Sequence, residues 1–159
     1  MNTYPIKRNK SLVNLSKEHH FGLLASWKIR RGFDLQIEPK RIADFVINLW
    51  ETHLRSHFNA EEIILFNVIK HPLIDEALAQ HLKLRALITS ISKDFNTKQL
   101  TDFANLLEQH IRFEERQVFK MLQQELSEDK LDKIGKLLNE LHKEPFEDIY
   151  KDEFWLFKD

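Results

Sequence analysis

Apolar side chains recur at helical spacing through most of this chain, and only a few proline and polar breaks interrupt them. A first run, about Ser11 to Gly32, carries Leu12, Leu15, Leu23, Leu24, Trp27 and Ile29, with Ser11 as its N-cap. A second begins at Pro39 and extends to about Val68 through Ile42, Phe45, Val46, Leu49, Trp50, Leu54, Phe58, Ile64 and Leu65. A third starts near Pro72 and reaches about Lys93 with Leu73, Ala77, Leu84, Leu87, Ile88 and Ile91. After a polar break at Asp94 to Thr97, a fourth runs from about Lys98 to Leu126. Ser127-Glu128-Asp129 reads as the cap of a shorter helix with Leu131, Ile134, Leu137, Leu138 and Leu141. Proline fits the first turn of a helix and breaks its interior, so Pro39 and Pro72 mark starts. With 3 glycines and 4 prolines in 159 residues, and no strand alternation, the fold class is all-α. Short connections predict an antiparallel up-down four-helix bundle over about 11–126, with a short extra C-terminal helix and an aromatic tail over about 127–159, all in a single domain covering 1–159.

Charge and composition exclude several functions. The formal net charge is -1, which lacks the electrostatic footprint of a nucleic-acid binder. The clusters Lys7-Arg8-Asn9-Lys10 and Lys28-Ile29-Arg30-Arg31 read as solvated faces. Without cysteine there are no disulfides, thiolate zinc sites or iron–sulfur clusters. No secretory h-region and no run of about 20 apolar residues is visible, so the expectation is a cytoplasmic protein with no membrane partner.

The chemistry is carried by two copies of His-x-x-x-Glu, His57 to Glu61 and His110 to Glu114. Residues four apart lie on one helix face, so each pair presents an imidazole and a carboxylate to one point. Alone, such a pair is a common solvated surface feature. These two stand beside apolar stripes, His57 between Leu54 and Phe58 and His110 beside Ile111 and Phe113. Register adds to this. His57 lies ten residues before Asn67 and His81 nine after Pro72; His81 lies 13 before Asp94 and His110 13 after Thr97. At a rise of about 1.5 Å per residue the three histidines come level across the turns. The first helix offers His19 and His20, with a looser fit in height. His19 has Leu15 and Leu23 one turn away; His20 has Leu23, Leu24 and Trp27, and both stay open as the ligand. Two pairs and two single histidines make about six ligands, enough for two metals bridged by carboxylates, and this donor set suits iron, manganese or zinc. The Glu-x-x-His spacing of ferritin-like bundles is absent from this pattern.

In order, Glu18-His19-His20, His57-Phe58-Asn59-Ala60-Glu61-Glu62, Gln80-His81 and His110-Ile111-Arg112-Phe113-Glu114-Glu115 resemble the hemerythrin-like, or HHE cation-binding, domains over about 11–126. The resemblance implies a non-haem di-iron centre with Glu61 and Glu114 bridging two Fe ions and the histidines as terminal ligands. It also implies binding or sensing of O2, NO or iron. The enzyme alternative is reduction of O2, peroxide or NO, or donation of iron to damaged clusters; the metal-free alternative is a helical interaction module. Oxygen-carrying members have a further histidine where Arg85 stands, and a longer final gap that Glu115 rather than Glu114 would supply. Both departures point away from reversible oxygen carriage.

The remaining histidines read more plainly. His53 reads as a rim residue or an outer hydrogen-bond donor, His71 as a turn residue, and His142 as favouring a helix dipole. Met121 reads as core filler. In the tail, Phe146, Tyr150, Phe154, Trp155 and Phe157 read either as a seal over the bundle end or as a lid or homodimer contact.

Overall fold

The computed structural model describes residues 7–141 and 147–157. His142 and Phe146 lie outside them. All the regular elements among the described residues are helical: α1 (Val13–Asp34), α2 (Pro39–Leu49), α3 (Arg55–Ala60), α4 (Pro72–Lys93), α5 (Thr97–Phe113), α6 (Phe119–Glu125) and α7 (Glu128–Leu141). Three π-helical turns, Trp50–Leu54, Glu61–Leu65 and Glu114–Val118, join α2 to α3, extend α3, and join α5 to α6. The chain is therefore helical without a break from Pro39 to Leu65 and from Thr97 to Glu125. No helix is long and apolar enough to cross a membrane among the described residues.

Local chemistry sets the helix ends. Pro39 and Pro72 occupy first turns, where a missing N–H costs nothing. His71 does more than sit in a turn, since its Nδ1 accepts from the Leu73 N–H at 3.1 Å and caps α4. Asn96 caps α5 through Gln99 N–H at 2.8 Å, and Ser127 accepts from Lys130 N–H at 3.3 Å at the start of α7. Ser11 does not cap α1. The helix starts at Val13, and the Asn9 side chain instead accepts from the Ser11 N–H at 2.9 Å. Nor does Gly32 end α1, which continues to Asp34. The turn into α2 comes at Gln36, whose φ of 56° is the left-handed conformation usual just past a helix end; Leu35 and Ile37 N–H close on Arg31 and Gly32 carbonyls.

Two apolar cores lie on either side of a polar layer. One holds Ala25, Ile29, Phe45, Leu49, Leu84, Ile88, Phe103, Leu107 and Ile111; the other holds Leu12, Leu15, Ile64, Leu65, Ala77, Val118, Phe119 and Leu122. Every long helical run passes from one core to the other. The crossing points are His19, His57 with Glu61, His81, and His110 with Glu114, and these six residues are all buried. Gly22 lets α1 approach α5 closely, because a Cβ there would run into Cδ1 of Ile111.

The two ends are sealed by C-terminal segments. Leu131, Ile134 and Leu138 of α7 pack into the second core. The aromatic tail packs on the first, with Phe154 and Trp155 buried and Phe45 touching the Tyr150, Phe154 and Trp155 rings. Arg41 holds Asp152 through two hydrogen bonds at 2.8 and 2.5 Å. Lys28 is a correction to the solvated-face reading: it is buried, pairs with Asp148 at 3.0 Å and lies 4.0 Å from the centre of the Trp155 ring. Arg8 is likewise engaged, pairing with Glu115 at 3.0 Å.

Candidate metal centre

Two four-residue groups meet at the polar layer. His19, His57, Glu61 and Glu114 form one; Glu61, His81, His110 and Glu114 form the other. In each group one ligand atom per residue lies within 4.8 Å of every other. The two glutamates are common to both. Among the candidate residues from the sequence, His19, His57, Glu61, His81, His110 and Glu114 are therefore brought together, whereas His20 is exposed and belongs to neither group.

The choice between His19 and His20 follows from which face of α1 is buried. That face carries Leu12, Leu15, His19, Gly22, Ala25, Ser26 and Ile29. Its middle is small rather than large and apolar, so a count of large hydrophobics favours the other side. Trp27, which supports His20 in the sequence, is 50% exposed.

Each histidine turns Nε2 inward and has Nδ1 facing an oxygen outside the groups. His19 Nδ1 lies 2.7 Å from Glu115, His81 Nδ1 2.8 Å from Glu62, His110 Nδ1 2.7 Å from Gln80 and His57 Nδ1 3.4 Å from Glu18. These acceptors require the proton on Nδ1, which leaves a lone pair on each neutral Nε2. The inward Nε2 atoms then face carboxylate oxygens: His57 to Glu61 at 3.2 Å, His81 to both glutamates at 3.4 Å, and His19 to Glu114 at 3.6 Å. His110 Nε2 stands against Glu114 Oε1.

Lone pairs facing lone pairs repel unless a proton or a cation sits between them. The Nε2 atoms of His19, His57 and His110, both oxygens of Glu61 and Oε2 of Glu114 are buried with no hydrogen-bond partner. At about 1–3 kcal/mol for each such group, the sum would rival the whole net stability of a domain, roughly 5–15 kcal/mol. Cationic occupancy removes that cost. This donor set of imidazoles and carboxylates fits iron, manganese or zinc.

The electrostatics show the same demand for positive charge. Burial works against a charged imidazole, but Glu114 and Glu115 outweigh it and raise His19 to about 9. Burial is likewise overcome at His57, raised to about 10 chiefly by Glu61 and Glu18, and at His81, raised to about 11 by Glu114, Glu61 and Glu62. Burial pushes the Glu114 carboxyl up, yet His110 and the surrounding donors hold it well below the carboxylate range.

Outside the groups, His53 is buried rather than at a rim, and its Nε2 approaches the Glu18 carbonyl at 3.4 Å. Burial lowers it to about 4, keeping it neutral. Arg85 meets Glu62 at 2.7 Å, so the residue standing in place of an extra histidine steadies the carboxylate beside His81. Glu115 faces His19 from outside, leaving Glu114 inside. Both paired glutamates begin a π turn: Phe66 N–H reaches back to the Glu61 carbonyl, and Phe119 N–H to that of Glu114. Such widened turns are frequent at functional sites. Apolar spacing does not distinguish them from α turns, and the sequence reading missed them.

A cavity of about 10 Å³ adjoins the layer, lined by Gly22, His53, Leu54, Leu107 and Ile111 together with His19, His57 and His110. Comparison with curated proteins and with solved structures finds no match. The Hemerythrin HHE cation binding domain matches residues 13–122, which contain all six buried histidines and glutamates of the two groups. The chain belongs to the hemerythrin HHE cation-binding domain family.

Proposed function

We propose that this protein holds two metal ions, iron before manganese or zinc, and binds or senses a diatomic ligand, O2 or NO, or iron itself. Glu61 and Glu114 would bridge the ions. His19 and His57 would complete one position, His81 and His110 the other. The observation that carries this reading is that the two ligand groups share both glutamates, with inward lone pairs that only positive charge can satisfy. The alternation of the runs between the two cores supports an antiparallel up-down four-helix bundle around the site.

Iron held there would supply redox chemistry. The side chains do the rest. Glu115, Glu18, Glu62 and Gln80 fix the histidine tautomers. Leu54, Leu107, Ile111 and the close contact at Gly22 keep bulk water away. The adjoining cavity is near the lower limit for a single water, so it supports a very small ligand rather than an organic substrate.

Metal analysis and an optical spectrum of protein expressed with iron test the reading. The expected result is two irons per chain with ligand-to-metal absorption, lost when Glu61→Gln and Glu114→Gln are combined. Trace metal in the wild-type protein would sink it.

A further inference from the structure

The four outer acceptors form a closed circuit. Glu18, beside His19 on α1, reaches His57 on α3. Glu62, beside Glu61, reaches His81 on α4. Gln80, beside His81, reaches His110 on α5. Glu115, beside Glu114, reaches His19 and returns to α1. Each run thus gives an inward ligand and, at the adjacent position, a brace for the histidine of the next run. Adjacent residues on a helix point about 100° apart, so one side chain can face the centre while its neighbour faces the flanking helix.

One brace differs in kind. Positions 18, 62 and 115 are glutamates, and position 80 is a glutamine. The amide is held the right way round, since its Nε2 donates to Glu76 Oε1 at 3.2 Å and leaves Oε1 for His110. Gln80 therefore accepts the Nδ1 proton without adding charge. An ionised acceptor makes a hydrogen bond about twice as strong and raises the basicity of the ligand imidazole. Arg8 pairs with Glu115 and Arg85 with Glu62, so each histidine pair has one bracing glutamate held by an arginine. The remaining contrast is Glu18 at one pair against Gln80 at the other.

We propose that this circuit makes the two metal positions unequal, with the position at His19 and His57 the tighter, and that Gln80 is the positioning residue that weakens the position at His81 and His110. The proposal rests on the two-metal reading given above. It goes beyond that reading in ranking the positions and in assigning the ranking to one side chain.

Titration of the full metal-free chain with Zn2+, followed by calorimetry and by NMR of the histidine rings, tests it. Two steps are expected, separated by about ten-fold or more in Kd, with His19 and His57 resonances shifting at the first equivalent. Gln80→Glu should tighten the second step by about ten-fold, hold the first within about two-fold, and move the His110 Nδ1–H resonance downfield. Gln80→Leu should weaken the second step by about 10–100-fold. Two equal steps, or His81 and His110 shifting first, would overturn the ranking while leaving the two-metal reading intact. A second step unmoved by Gln80→Glu would overturn the role of Gln80. A wild-type chain that takes up no Zn2+ would overturn both readings together.

Discussion

His19 and His20 are neighbours of the same type, and only one of them enters the ligand groups. His19→Ala should cost at least about ten-fold in metal affinity, while His20→Ala, at an exposed position, should leave it unchanged; equilibrium dialysis of both variants checks this. The site also carries a pH signature. His19, His57 and His81 are raised to about 9, 10 and 11, above the ordinary value of 6.5. A group raised on folding stabilises the folded state fully below its unfolded pKa, and that contribution is lost as pH climbs through the folded value. The metal-free protein should therefore lose thermal stability from about pH 7 toward pH 10–11, and the metal-loaded protein much less, since the cation replaces the protons. Thermal melts of both forms across that range measure the difference. At pH 7 metal uptake must displace these protons, so calorimetry in buffers of different ionisation enthalpy should report proton release on binding.

At the scale of elements, helix starts follow short-range rules. The span of α4, Pro72–Lys93, coincides with the run read from its proline and the following polar break. Ser127 opens α7 as its residue type suggests. Ser11 fails as a cap because α1 starts at Val13 and leaves Leu12, not Ser11, at the capping position. Gln36 is the one non-glycine residue of positive φ among the described residues. Gln36→Gly should raise stability by about 0.5–1 kcal/mol, read as a higher urea midpoint, because glycine has no Cβ penalty there. The π turns at Glu61 and Glu114 were not legible. Each begins at a buried glutamate of the polar layer, and nothing in the local sequence demands it.

For the whole molecule, α7 and the aromatic tail both lie beyond the family match, α7 packing on one core and the tail on the other. A Cβ on Gly32 would stand 2.8 Å from Phe154 Cε2 and 2.9 Å from Ile42 Cδ1. Gly32→Ala should therefore lower stability by about 1–3 kcal/mol through overpacking and speed proteolytic loss of the tail. Metal affinity should not change, because Gly32 lies more than three helical turns from His19 along α1. The sealing reading of the aromatic tail agrees with the burial of Phe154 and Trp155, though Leu156 and Phe157 remain exposed.

The sequence by itself placed the helical runs, though not all their ends, and pointed to five of the six inward residues: His57, Glu61, His81, His110 and Glu114. Helical period and turn position are local quantities, and together they fix height and face along a run. Tertiary structure decided the sixth. The small residues Gly22, Ala25 and Ser26 bury the His19 face only because α5 packs against it, and their lack of large apolar surface hides that choice from the chain alone. It also decided the partners of the histidines. Glu62, Gln80 and Glu115 stand beside the inward residues in the sequence, but each acts on a histidine of another helix, and such pairing exists only once the helices are assembled.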